Sequence, residues 1–183
     1  MADTIKSMQL YPRATRIWDD LRHMGYEDAD PVPVSVLNQF DQLHYHGTNA
    51  LDAAIAGCAI RAGDQVLEVG SGWGGCARYL AQTAGAQLTA VELQADYDRV
   101  ARDLTQRAGL GDAVTHVNAD FLSHPIEPGH FAHAVSWLAL FHIPERSRYL
   151  HKLHQAIAPG GILFAEDLYL IKSPAPDAQE DFQ

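Results

Sequence analysis

Between residues 65 and 167 the apolar positions fall alternately into short runs and longer, spaced series. The short runs predict strands at Gln65–Val69, Gln87–Glu92, Val114–Asn118, Ala132–Trp137 and Gly161–Asp167. The spaced series predict helices near Cys76–Ala84, Ala95–Ala108 and Glu145–Ala158. In the second of these, Tyr97, Val100, Ala101, Leu104 and Ala108 recur every three or four residues. Tyr149, Leu150, Leu153 and Ile157 do so in the third, and Pro159-Gly160-Gly161 is expected to end that helix and turn the chain. Strands alternating with helices imply parallel strands joined by right-handed crossovers, an open α/β sheet.

The first sixty residues read differently. Ile17, Leu21 and Met24 suggest a short helix, Pro31-Val-Pro33 breaks the chain, and Thr48 is placed to cap another helix running through Ile55. The expected organisation is a helical cap over 1–60, a ligand-binding core over 61–172 and a polar, proline-containing tail over 173–183.

Composition narrows the class. The chain has 183 residues, 47% hydrophobic and 20% charged, enough for one globular domain. Its formal net charge of −10 argues against a nucleic-acid surface, which needs a basic patch. Cys58 and Cys76 lie in apolar or glycine-rich surroundings and suggest no disulfide framework. Asp3, Lys6, Arg13 and Arg16 interrupt any signal-peptide core, and no apolar run approaches a membrane span. A cytoplasmic protein is expected.

The candidate chemistry begins at Val66, where the sequence reads VLEVGSGWGG. A glycine loop after a strand lets backbone approach a ligand and permits positive φ. Gly70, Gly72 and Gly75 match the G-x-G-x-x-G of dinucleotide binders, whereas Glu68, Gly70, Gly72 and Gly74 spell E-x-G-x-G-x-G. Glu68 would repel a pyrophosphate but suits the ammonium and sulfonium charges of S-adenosylmethionine. Glu92, ending the second strand, can accept from two ribose hydroxyls and does not discriminate between the ligands. Asp120 after the third strand can accept from an adenine amine, with Phe121 packed on the ring. Each acid also has an ordinary structural use, as a cap or an ion-pair partner. Three of them at the ends of consecutive strands point to the methyl donor.

The set VLEVGSGWGG, TAVELQ, NADF, VSWLALFHI and IAPGGILFAED, spanning about Val66 to Asp167, resembles the class I S-adenosylmethionine-dependent methyltransferases. That resemblance implies a Rossmann-like parallel sheet with strand order 3-2-1-4-5, continued in the family by two further strands. No counterpart of those two is found before Gln183, so a truncated chain, a natural short form with a covered edge or a homodimer, or a non-catalytic cofactor binder is expected. The resemblance also implies cofactor-binding roles for Glu68, Gly70, Ser71, Gly72, Trp73, Glu92, Leu93, Asp120, Phe121, Trp137 and Leu138.

Within the family, Gly-Trp-Gly-Gly and Leu-Phe-His-Ile-Pro resemble small-molecule enzymes. Sarcosine/dimethylglycine and phosphoethanolamine N-methyltransferases come closest, and cyclopropane-fatty-acid-synthase-like enzymes stand further off. In the phosphoethanolamine enzymes a histidine after the fourth strand acts with a tyrosine from the N-terminal region. His142 matches the former; Tyr26 matches the latter by spacing, with Tyr45 a rival. Histidine titrates near neutrality and can take the proton that an amine acceptor must lose. His142 could instead pack or cap the following helix.

His44 and His46 share a face of an extended segment and could bind a metal with a third ligand, but no such ligand is evident and no metal is expected. His151 and His154 are expected on the solvated surface. The function expected is methyl transfer to a small molecule, an amine before a sulfur, oxygen, carbon or lipid-like acceptor. A nicotinamide dehydrogenase and a non-catalytic partner protein are the rivals.

Overall fold

The structure is a computed structural model that describes residues 12–169. The expected tail at 173–183 and the residues Asp3 and Lys6 lie outside the described residues. The chain runs α1 (Arg16–His23), α2 (Val34–Leu37), α3 (Thr48–Cys58), β1 (Gln65–Val69), α4 (Gly75–Ala84), β2 (Gln87–Glu92), α5 (Ala95–Arg107), β3 (Val114–Asn118), β4 (Phe131–Trp137), a 3-10 turn (Leu140–His142), α6 (Arg146–Ala156) and β5 (Ile157–Glu166). The five strands form one parallel sheet in the order β3-β2-β1-β4-β5. This is the order implied by the family resemblance.

Alternation along β1 sorts its side chains between two apolar layers. Val66 packs with Leu51, Ala54, Leu80 and Leu88 against α3 and α4. Leu67 and Val69 face the other way, into a layer with Val91, Leu140 and Leu153. Glu68, two residues from Val66, therefore points into the α3/α4 side.

A third cluster joins the N-terminal segment to α5: Ile17, Leu21, Val32 and Leu37 meet Trp73, Tyr97, Val100 and Leu104. Arg107 at the end of α5 donates to the carbonyls of Asp30 (2.8 Å) and Glu27 (2.7 Å), and its own carbonyl accepts from Val32 N–H (2.9 Å). Of the first sixty residues, α1 and α2 thus join an apolar cluster with α5, α2 also packing on α4, while α3 packs on α4 and β5. Met24 is the C-cap of α1 and largely exposed.

Two local expectations are corrected. Thr48 is the first residue of α3 rather than its cap; Gly47 holds the cap position at φ 51° and no side chain caps the helix. The helix α6 stops at Ala156, and β5 already begins at Ile157. The reason lies in the pairing of β5 with β4, where Phe131 is opposite Ile157 but His133 is opposite Ile162. Pro159-Gly160-Gly161 is the slack of that irregularity. Gly160 has φ +87°, and a Cβ on Gly161 would stand 2.1 Å from the carbonyl oxygen of Ala132.

Candidate cofactor and active site

The carboxyl ends of β1, β2 and β4 open into a cavity of about 410 Å³, a size typical of small-molecule sites. Gly70 and Gly72 form its floor, Glu92 and Leu93 one wall, Asp120, Phe121 and Leu122 a second, and Trp137, Leu138, Ala139 and His142 a third. The parallel order brings these loops together because crossovers return every strand in the same direction.

Backbone demands at the floor are specific. Gly70 has φ +78°, and a Cβ there would lie 2.2 Å from Cβ of Ala139. The first glycine therefore admits the loop after β4. Leu138 has φ +50°, a left-handed conformation costly for a branched residue, and its N–H donates to the carbonyl of Glu166 (2.8 Å). That bond ties the β4 loop to the end of β5.

Glu92 is buried. Its Oε2 accepts from Gly72 N–H and its Oε1 from Gln94 N–H, each at 2.8 Å. Each oxygen keeps a second lone pair for a ligand. Burial raises its pKa, opposed by the N–H donors of Gln94 and Gly72. Asp120 folds its own turn: Oδ1 accepts from Leu122 N–H (3.0 Å), and its carbonyl accepts from Ser123 and His124 N–H. His142 is half-buried in the 3-10 turn, and burial lowers its pKa from 6.5, with Asp167 pulling the other way.

Nine of the expected site residues line the cavity: Gly70, Gly72, Glu92, Leu93, Asp120, Phe121, Trp137, Leu138 and His142. Glu68, Ser71, Trp73 and Tyr26 are not among the residues that line it. Glu68 lies on the α4 side of the sheet. It is fully buried, and burial raises its pKa to about 8 against the pull of Arg78. Burial thus favours the neutral carboxyl, and the nearby Arg78 guanidinium the charged one.

Trp73 turns to the cap. Its Nε1 donates to the carbonyl of Ala14 (2.8 Å), its ring stacks on Tyr97 at 5.4 Å, and Arg16 lies 5.1 Å above it. Tyr26 packs in the same N-terminal cluster. Ser71 is buried on the glycine loop, and its hydroxyl has no partner among the described residues. Tyr45 is exposed, and its N–H donates to Glu166 Oε1 (2.9 Å). His44 bonds Gln42 and the carbonyl of Tyr45, and among the described residues no group of three or more His, Cys, Asp or Glu could hold a metal. Cys58 and Cys76 are free and buried, and His151 and His154 are exposed. Among the described residues no helix is long and apolar enough to cross a membrane.

Sequence reading missed a second role of the glycine motif. A Cβ on Gly75 would lie 2.7 Å from the carbonyl oxygen of Asp41, and one on Gly74 2.7 Å from Cε1 of His116. These glycines admit a buried polar network rather than a ligand. In it Arg78 donates to Asp41 (2.8 Å) and Thr105 (3.2 Å), and Thr105 bonds His116 (2.8 Å). Two residues beyond Asp41, Leu43 reaches the cavity and lies 3.3 Å from where a Gly72 Cβ would sit. Pro12, Arg13 and Arg16 close the cavity from the N-terminal side. None of these carries a periodic or spacing signal.

A family model described as "Methyltransferase domain" matches residues 66–161, the stretch that builds the sheet and most of the cavity. The chain belongs to the methyltransferase domain family. This is the family expected from the sequence, and S-adenosylmethionine is the methyl donor of the class on which that expectation rested. The domain is similar to a probable tocopherol O-methyltransferase of Oryza sativa, 27% identical over 155 residues, covering 82% of this chain and 43% of the relative. It is also similar to the sarcosine/dimethylglycine N-methyltransferase of Halorhodospira halochloris, 31% identical over 96 residues, 52% of this chain and 34% of the relative. Its fold matches that of phosphoethanolamine N-methyltransferase 2 of Haemonchus contortus, solved with S-adenosylhomocysteine and phosphomonomethylethanolamine. The TM-score is 0.71 at 22% identity, over 78% of this chain and 33% of that one. This methyltransferase domain thus spans less than half the length of these three proteins.

Proposed function

We propose that the cavity binds S-adenosylmethionine and that the protein transfers its methyl group to a small molecule carrying an amine. The observation that carries this reading is the meeting of Gly70, Glu92, Asp120 and His142 around one cavity, each from a different loop. The residues fit the cofactor chemically. Glu92 retains acceptor capacity for ribose hydroxyls, Asp120 with Phe121 suits an adenine edge and face, and the glycine floor accepts the methionine half closely. When bound, the cofactor supplies a methyl group on a positively charged sulfur, open to in-line displacement.

The chain's own residues have three tasks. The walls formed by Trp137, Leu138 and Leu43 exclude water and align the acceptor with the methyl. Glu92 and the glycine loop hold the nucleoside and methionine halves. His142, held neutral at pH 7 by its lowered pKa, accepts the proton leaving the amine nitrogen, freeing the lone pair that attacks.

Titration calorimetry with S-adenosylhomocysteine and with NAD tests the donor; tight NAD binding without response to S-adenosylhomocysteine would sink the reading. A methyl-transfer panel of amines, thiols and hydroxylated acceptors tests the acceptor. A hydroxyl acceptor is the alternative, favoured by the longer alignment with the tocopherol O-methyltransferase. Transfer to hydroxyls and not to amines would replace the amine reading with it.

A further inference from the structure

We propose that Lys152 of α6 is a positioning residue for the adenine end of the site, holding the turn that presents Asp120 and Phe121. The proposal rests on the reading of Asp120 as the adenine acceptor.

After β3 the chain makes one tight turn. Asp120 closes it with its carbonyl on Ser123 N–H (3.0 Å) and His124 N–H (2.9 Å), and with Oδ1 on Leu122 N–H (3.0 Å). Such a turn leaves its last carbonyls without partners inside itself, like the end of a helix. Lys152 supplies them. Its ammonium donates to the carbonyl of Leu122 (3.2 Å) and to that of His124. The same nitrogen lies 5.2 Å from the ring centroid of Phe121, in cation–π range. Arg148, one turn earlier on α6 and so on the same face, reaches the Leu122 carbonyl at 3.5 Å.

One ammonium therefore bonds the backbone of the turn and lies within cation–π range of the ring that lines the cavity. A cation at the carbonyl end of the turn also favours the negative charge at its start, on Asp120. Its effect on Lys152 is visible in turn, since Asp120 opposes the lowering of the Lys152 pKa by burial. The direction of influence is from α6, on the far side of the turn, to the base-reading groups. Lys152 itself does not line the cavity.

The test is calorimetric titration of the full 183-residue chain and its variants Lys152→Met, Lys152→Arg, Asp120→Asn and Lys152→Met with Asp120→Asn. Each is titrated with S-adenosylhomocysteine and with S-inosylhomocysteine, which lacks the adenine amine, and its fold is checked by circular dichroism. Lys152→Met should weaken S-adenosylhomocysteine by about tenfold, weaken the inosyl analogue less, through Phe121 alone, and add little to the S-adenosylhomocysteine loss once Asp120 is already Asn. Lys152→Arg should restore most of the loss. Asp120→Asn weakened with Lys152→Met unchanged, or equal losses on both ligands that add fully to Asp120→Asn, would overturn the positioning role. Where Lys152→Met misfolds, Lys152→Gln takes its place in both titrations, and parent-like binding by that variant would likewise overturn the positioning role. Asp120→Asn binding like the parent would instead overturn the adenine reading on which the proposal stands.

Discussion

At the scale of single residues, the cavity separates groups that line it from groups that only stand near it. Glu92 bonds two backbone N–H groups and also lines the cavity. Replacing it by Ala should weaken S-adenosylhomocysteine by roughly 2–3 kcal/mol, since a charged acceptor in a shielded site is lost. Glu92→Gln keeps one oxygen and should lose less; equal affinities for parent and both variants in calorimetry would remove Glu92 from the site. His142 carries a pKa held below 6.5 by burial. With an amine acceptor, kcat/KM should fall on the acid side, below pH 6.5, as the imidazole takes up its proton. His142→Ala should abolish that acid limb and most turnover while leaving cofactor affinity intact. An unchanged pH profile would assign the proton to water.

At the scale of elements, the strap from Asp41 to Tyr45 joins the N-terminal segment to the core. Asp41 and Arg78 form an ion pair with both side chains fully buried. Asp41→Ala would leave the guanidinium buried without its counter-charge, at a cost of about 3–5 kcal/mol in denaturant unfolding. Gly75→Ala should cost about 1–3 kcal/mol by forcing a methyl against the same Asp41 backbone. A parent-like midpoint for both variants would show that the strap is not held there. The Leu43 wall should loosen in both, so cofactor affinity is expected to fall with stability.

At the scale of the whole molecule, two buried groups set opposite limits on stability with pH. His116 is held neutral by burial and by Arg78 and Arg102, its pKa lowered from 6.5 to about 3. The unfolded chain takes up a proton there first, so stability is lost as pH falls from 6.5 towards 3. Glu68 is raised from 4.5 to about 8. The folded state keeps its proton where the unfolded chain has lost it, so this contribution is present below pH 4.5 and lost as pH rises to 8. Glu68→Gln should flatten the alkaline side of the stability curve and His116→Asn the acid side. Urea midpoints across pH 4–9 check both, and parallel curves for parent and variants would contradict the assignment.

Much of this was legible without coordinates. The strands carry short apolar runs, and β1, β2 and β3 begin and end where the sequence pattern placed them. The glycine loop and the acids closing β2 and β3 follow strands directly, so their site was readable from order alone. The entry to β5 was not, because Pro159-Gly160-Gly161 has the composition of a turn and only the register against β4 makes it a bulge. The placement of Glu68 and Trp73 was not legible for a related reason. Both stand in the motif, yet the alternation of β1 turns Glu68 to the α4 face, and a partner fifty-nine residues earlier, the Ala14 carbonyl, draws Trp73 away.

The sequence by itself determined the sheet, the family and the loops that face the cavity, because these rest on local periodicity and on short motifs. Tertiary structure decided which side chains reach the cavity and what the remaining glycines are for. Gly74 and Gly75 are small because His116 and Asp41 approach them, and Lys152 matters because its helix packs beside the turn at Asp120. Such contacts join residues tens of positions apart, and no repeat or spacing along the chain encodes a distance that exists only after the chain has folded.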